Sequence, residues 1–599
     1  MPSGISVQPR FACGPERSTV TSATGPSFVV DLRAATAHLV AVELTAQPSA
    51  PTLRWSLPAW TPGSYLIRDY VRQLEGLNLT QADRPIPVRR TGVAAWEAEL
   101  PDLQPVRLCY SLVATELTVR TCHLDADHGF LCLAAVAVEI EGQRWRPQRI
   151  RLQLPPGWQG HVPLPQRADG SWCAQDFDQL VDTPIEAGPH ASHGFDVAGI
   201  PHRWVSWGTT LAGVDPIKAD GQLLADVERV CGACCRLMGV ERPAADHYLF
   251  VLHLTEAGYG GLEHDCSSVL QYGRRRLAQP DGRRKLLQLV AHEYLHQWNV
   301  RRLRPAELIP YNYRDPVSIP TLWFAEGVTS YVDQLLPHAA GISDSTEVLA
   351  DLAGDLSRYW LTPGRHVQSL RQSSEEAWVK LYKADAYAIN SQVSYYLKGA
   401  VLALVLDLHL RRRGSGLPVV LRQLWQSHGR WGRGYREAEL LAAFAAADAD
   451  LARLLPAWLN GTEDPELEPY LADVGLVLTP HPAGAPWLGW MVERGGGGGL
   501  QLKRVIRSGP AERAGLMVGD ELIAVSGWRL HQLEDLAPVL APLRPGAELE
   551  VAYARDGRLR FAQLQAAPAQ VERWSLEPDR QATAAAVERR RRWLCLELP

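Results

Sequence analysis

Between about residues 27 and 190, apolar and polar positions alternate. SFVVDLR, HLVAVELTA, RLCYSLVATELTV, FLCLAAVAVEI and RIRLQL follow this pattern, separated by Pro, Gly and Asp clusters. Successive strand side chains point to opposite faces, so the alternation predicts half-buried strands and a β-sandwich. From about 215 to 465 the repeat becomes helical. Broad apolar faces predict helices over 284–300, 321–336 and 393–412, with one strand, HYLFVLHLT at 247–255, leading into GYGGLEH. After LNGTEDPELEPYLADVGL the pattern returns to short strands over 487–566, with one helix at Ala511 to Gly515 inside SGPAERAGLMVGDELIAVSG. The run Gly495 to Gly499 reads as a hairpin loop, because no Lys-Ser/Thr and no helix start follow it as a phosphate cradle would require. These shifts divide the chain into 1–190, 191–470, 471–570 and a tail at 571–599, a multidomain α+β architecture. LPAWTPGSYLIRDYVR at 57–72 is either a functional surface or a corner packed on the next domain, and the corner is the favoured reading.

Composition narrows the class. The 599 residues are 46% hydrophobic, enough for several cores. The net charge is only -5 with both signs spread along the chain, so no nucleic acid and no membrane surface is expected as a partner. The first twenty residues lack the apolar core of a secretory signal, and no apolar run approaches the ~20 residues that span a bilayer, which points to a cytoplasmic location. The ten cysteines are scattered and expected to be reduced, with Cys231, Cys234 and Cys235 packed on a helix face. The tail VERRRRWLCLELP reads as a basic amphipathic helix docked on the body.

The chemistry concentrates in HEYLHQW. His292 and His296, four apart on a helix, place both imidazoles on one face, where they can share a zinc ion with Glu293 beside them as a base. A catalytic zinc site needs a third protein ligand. Glu326 in WFAEGVTSY is the best candidate, against the alternative of a buried structural ion pair; Gly327 after it permits close helix approach. Zinc lowers the pKa of water to about 7, and Glu293 can take its proton and pass it to a leaving amine. Tyr396 in YYLKG can donate to an oxyanion, although on the residues alone a core position is favoured. Glu263 in GYGGLEH, behind Gly260 and Gly261, is either an anchor for a free α-amino group or a surface carboxylate on a turn.

PAWTPGSYLIRDY, DQLVDTPIEAG, GGLEH, HEYLHQWNVRRLRP, LWFAEGVTSYV, YYLKG and SGPAERAGLMVGDELIAVSG together resemble the glycyl aminopeptidases of the gluzincin clan, PDZ-bearing zinc peptidases distantly related to aminopeptidase N. The resemblance implies a thermolysin-like, mainly helical zinc peptidase domain between the β-sandwich and a PDZ-like domain. It implies one zinc per chain held by His292, His296 and Glu326, with Glu293 as base, Glu263 as amino-terminus anchor and Tyr396 as oxyanion donor. The implied substrates are peptides with a free amino terminus and a small first residue such as Gly or Ala. One departure stands out: residues 297 to 325, 29 in all, separate His296 from Glu326, more than aminopeptidase N uses. In the PDZ-like part, Trp487, Leu488, Gly489 and Trp490 would form the carboxylate-binding loop for a peptide carboxy terminus, or pack against the body instead. Two other functions remain open, a PDZ-guided zinc endopeptidase and a non-catalytic peptide-binding scaffold. The oligomeric state is not legible.

Overall fold

The structure, a computed structural model, describes residues 25–598. The reading of the first twenty residues, and Cys13, therefore lie outside the described residues. The amino-terminal part is the expected β-rich domain. A seven-stranded sheet carries Leu39–Ala46 between Ser27–Asp31 and Val106–Val113, and its alternate residues are buried. Two four-stranded sheets accompany it, one centred on Thr52–Ser56 and Ala95–Glu99, the other on Pro184–Gly188 and Gly129–Cys132. The in-out alternation is what gives each sheet one buried face.

The central part is less purely helical than the pattern suggests. Its base is a five-stranded mixed sheet ordered Ser192–Val197, Ile200–Trp207, Tyr248–Thr255, Ser267–Gly273 and Tyr259–Glu263. Only Tyr248–Thr255 was legible as a strand, because it is buried almost throughout and reads as a continuous apolar run. GGLEH occupies the edge strand Tyr259–Glu263, antiparallel to Ser267–Gly273. The helix Gly282–Leu295 packs on this edge, burying Leu286, Leu289, Val290 and Tyr294.

Helix Tyr395–Arg412 is apolar on nearly every side, the mark of a central helix. The segment Ala388–Arg412 is long and apolar enough to cross a membrane, but 83% of its apolar window lies buried inside the fold. The predicted helix 321–336 is split. Trp323–Val328 forms a π-helical turn and Thr329–Ala339 continues as α-helix. A Cβ on Gly327 would lie 2.5 Å from the Gly399 Cα, so the two glycines let these helices touch backbone to backbone.

Residues of the PDZ-like part have their own buried cluster around Leu500, Leu502, Val505, Leu549 and Val551. Two short helices are present, Pro510–Arg513 and Leu536–Leu540, where the pattern predicts one. Gly495–Gly499 closes a hairpin through the Gly495 N–H to Gly499 O bond of 2.7 Å. The tail begins with a strand, Val571–Pro578, which pairs with Leu476–Pro482, so this module is inserted between two strands that bind it to the body. The helix Ala584–Leu594 then docks as expected, with Trp593 buried and its Nε1 donating to the Tyr331 hydroxyl at 2.6 Å. Cys231, Cys234 and Cys235 are buried and unbridged.

Candidate metallopeptidase site

His292 and Glu293 stand in the last turns of helix Gly282–Leu295, and His296 caps it. The two imidazole rings lie 4.7 Å apart at 87°. Each is fixed through Nδ1: His292 against Asp333 Oδ2 at 2.8 Å, and His296 against the Asn299 carbonyl at 2.5 Å. Both Nε2 atoms are thereby aimed at Glu326 Oε2, at 3.5 and 3.3 Å. Those separations exceed the usual hydrogen-bond length of ~2.9 Å and match the ~3.3 Å between ligand atoms held ~2.0–2.1 Å from a tetrahedral zinc. The donor set and its spacing fit zinc. Burial pushes the Glu326 carboxyl up, but His296 and His292 outweigh it and hold it down at about 2.

The π-helical turn aims Glu326, and such turns recur where a helix must present a side chain inward. Asn299 Nδ2 donates to the Phe324 and Ala325 carbonyls at 3.1 and 3.3 Å, and the Thr329 hydroxyl donates to the Ala325 carbonyl at 2.7 Å, so the irregular backbone is satisfied. One residue, Asn299, thus orients His296 with its carbonyl and supports the Glu326 turn with its side chain. Asp333 was legible in principle: seven residues after Glu326, it lies two turns along the same helical face. Because it orients His292, Asp333→Ala should weaken zinc affinity by about 10–100-fold, measured by competition with a chromophoric chelator.

Glu293 is buried, and burial pushes its carboxyl up to about 7 against the pull of both imidazoles. Its Oε2 has no hydrogen-bond partner. A Cβ on Gly261 would sit 2.1 Å from Glu293 Oε1, so Gly261 is required first to make room for Glu293. The Gly261 carbonyl, moreover, accepts from Arg120 Nη2 at 3.0 Å; Gly260, at φ +159° and with nothing within 4 Å of the place a Cβ would take, is the open one of the pair. Glu263 is buried rather than on a surface turn, its Oε1 has no partner, and it offers an oxygen within 4.8 Å of ligand atoms of Glu293 and His296.

The 57–72 corner does pack on the neighbouring domain, and it packs on the site itself. A Cβ on Gly63, at φ +83°, would lie 2.7 Å from both Glu263 oxygens, so the Pro-Gly turn backs that carboxylate directly. Tyr65 follows, buried beside Glu326 and Glu263. Tyr396 lies in the first turn of its helix, its ring 6.5 Å from that of His292 and its hydroxyl 3.1 Å from that of Tyr382. Burial raises the Tyr396 phenol well above its ordinary value, with Glu326 adding to the effect, so it stays a neutral donor. Nothing in the spacing of Tyr65, Tyr382 or Arg120 signals this convergence. Asp182 of DQLVD and Arg301 of NVRR meet at 2.8 Å, and Arg301 also holds Asp265 at 2.9 Å, which ties the GGLEH strand end to the segment after HEYLH.

Trp487, Leu488, Gly489 and Trp490 are not part of this constellation. They line the PDZ-like sheet edge, where Trp487 exchanges both backbone hydrogen bonds with Ala567 at 3.0 Å, Leu488 is buried, and Trp490 opens the edge strand Trp490–Arg494. That module meets the body through Asn390, which donates to the Val505 carbonyl and accepts from the Arg507 N–H, both at 2.8 Å.

Three family descriptions match in chain order: peptidase M61 N-terminal domain over residues 27–189, M61 glycyl aminopeptidase over 285–402, and PDZ domain over 486–565. Among solved structures, an aminopeptidase N family protein from Idiomarina loihiensis superposes with a TM-score of 0.89 at 27% identity, covering 95% of this chain and 100% of its own. An M1 zinc metallopeptidase from Deinococcus radiodurans gives a TM-score of 0.47 at 17% identity, covering 74% of this chain and 95% of its own. Comparison with curated proteins returns no match. The chain is a peptidase assembled from an M61 amino-terminal domain, an M61 glycyl aminopeptidase domain and a PDZ domain.

Proposed function

We propose that this peptidase is a zinc-dependent aminopeptidase that removes small amino-terminal residues such as Gly or Ala. The observation that carries the reading is Glu263, a buried carboxylate with an unpartnered oxygen, beside Glu293 and His296. A buried unpaired carboxylate costs several kcal/mol, and a substrate α-ammonium would compensate it. His292, His296 and Glu326 would hold the zinc, which supplies a Lewis acid and an acidified water. Glu293 takes the proton of the attacking water and delivers it to the leaving amine. Tyr396, kept neutral, donates to the oxygen on which negative charge develops. Glu263 holds the free amino end, so the bond presented for cleavage is the first one. The small first residue rests on the match to the M61 glycyl aminopeptidase description.

The PDZ edge strand Trp490–Arg494 supports capture of a peptide carboxy terminus by strand addition, although the Trp487 N–H is already taken by Ala567. Paired free and Nα-acetylated Gly- and Ala-peptides, assayed with zinc present, test the main reading. Acetylation removes one partner of a buried charge pair worth about 2–5 kcal/mol, so cleavage should fall by roughly 30-fold to several thousand-fold. Equal cleavage of both would favour an endopeptidase, and none of either would favour a scaffold.

A further inference from the structure

A second group of metal-ligating side chains lies where the β-sandwich meets the catalytic sheet. His123, Asp125 and His128, in CHLDADHGF, offer ligand atoms all within 4.8 Å of one another. His128 is fully buried, and its ring stacks on Trp207 of the catalytic sheet at 3.9 Å and 18°. Its Nδ1 faces Glu186 Oε1 at 2.9 Å, just as His292 Nδ1 faces Asp333. Glu186 is itself held by His253 at 2.8 Å and His190 at 3.1 Å.

A neutral imidazole that donates through Nδ1–H to a carboxylate carries a lone pair on Nε2, and the His128 Nε2 is buried with no hydrogen-bond partner. A buried lone pair, with a carboxylate behind the ring and a second imidazole and a carboxylate beside it, is the construction of a metal-bound histidine. Asp125 is equally prepared. Its Oδ1 accepts the Asp127 and His128 N–H groups at 2.8 and 3.0 Å, and its Oδ2 pairs with His123 Nε2 at 3.0 Å, a hydrogen bond that a shared ion would replace. The His123 and His128 rings are 5.0 Å apart, close to the 4.7 Å of the His292 and His296 pair. In the neighbouring His128, Glu186 and His253 set, both imidazoles spend a ring nitrogen on Glu186, at 2.9 and 2.8 Å, so Glu186 supports the His128 ring from behind.

We propose that His123, Asp125 and His128 form a second divalent-metal site of zinc type, with His128 oriented by Glu186. Two imidazoles and one carboxylate suit a first-row ion such as zinc, and the partial exposure of His123 and Asp125, 15% and 30%, leaves an entry path and room for water. Because His128 stacks on Trp207, the ion would brace the contact between the two domains.

The test is zinc per chain in the full-length protein, saturated with zinc, freed of excess by gel filtration and measured by elemental analysis. Wild type should hold two. His292→Ala should lose one, and His123→Ala and Asp125→Asn should each lose the other; Asp125→Asn keeps an oxygen for the turn and so guards against misfolding. A wild type that saturates at one zinc, lost in His292→Ala and kept in His123→Ala, overturns the second site. So do two zincs surviving in both His123→Ala and Asp125→Asn. A single zinc lost only in His123→Ala would uphold this site and reject the catalytic one.

Discussion

Glu293→Gln should retain zinc at the proposed site of His292, His296 and Glu326 while turnover falls by about 10²–10⁴-fold, the usual contribution of a positioned general acid–base group. The substitution keeps size and shape where there is no slack, since Glu293 fills the space that a side chain on Gly261 would need. It removes only proton transfer. A carboxyl that burial raises to about 7 is well matched to take a proton in one step and release it in the next. Zinc content by elemental analysis and kcat on an unblocked Gly-peptide decide the matter. Near-normal kcat with zinc retained would remove Glu293 from the chemistry, whereas loss of zinc together with kcat would make it a structural support of the site.

The second large effect belongs to Glu263. Glu263→Gln should lower kcat/KM on peptides with a free amino terminus by about 30-fold to several thousand-fold, the 2–5 kcal/mol of a buried charge pair deprived of one member. Nα-acetylated peptides should be affected far less, so the preference for free amino termini should collapse, with zinc unchanged. The readout is therefore a ratio of two substrates, which a general loss of folding would not move selectively. An undiminished preference in the variant would show that another group holds the amino end. Gly63→Ala offers a related expectation in the same direction, because its methyl would press on the Glu263 oxygens from behind.

The shared face of His292 and His296 was legible because they are close in sequence: four residues on a helix fix their common face whatever surrounds them. Glu326 was legible more weakly, through an apolar context and a following glycine. Its aim was not, since a 3.6-residue pattern does not reveal a one-residue π-bulge. That bulge is supported by Asn299, which lies near the start of the 29 residues between His296 and Glu326. The sheet beneath the site was mostly missed, since Ser192–Val197, Ile200–Trp207 and Ser267–Gly273 lack an uninterrupted apolar run as plain as that of Tyr248–Thr255.

Local spacing alone was sufficient for the β-rich start, the helix that carries His292 and His296, and the separate carboxy-terminal module, because strand alternation and helical periodicity are properties of neighbouring residues. The burial of Glu263, the aromatic wall of Tyr65, Tyr382 and Tyr396, and the packing of His128 between Glu186 and Trp207 belong to a different kind of information. Each joins residues from separate domains or distant segments, and only packing brings them within a few ångströms. There, removal from water turns an ordinary carboxylate or imidazole into one that requires a partner.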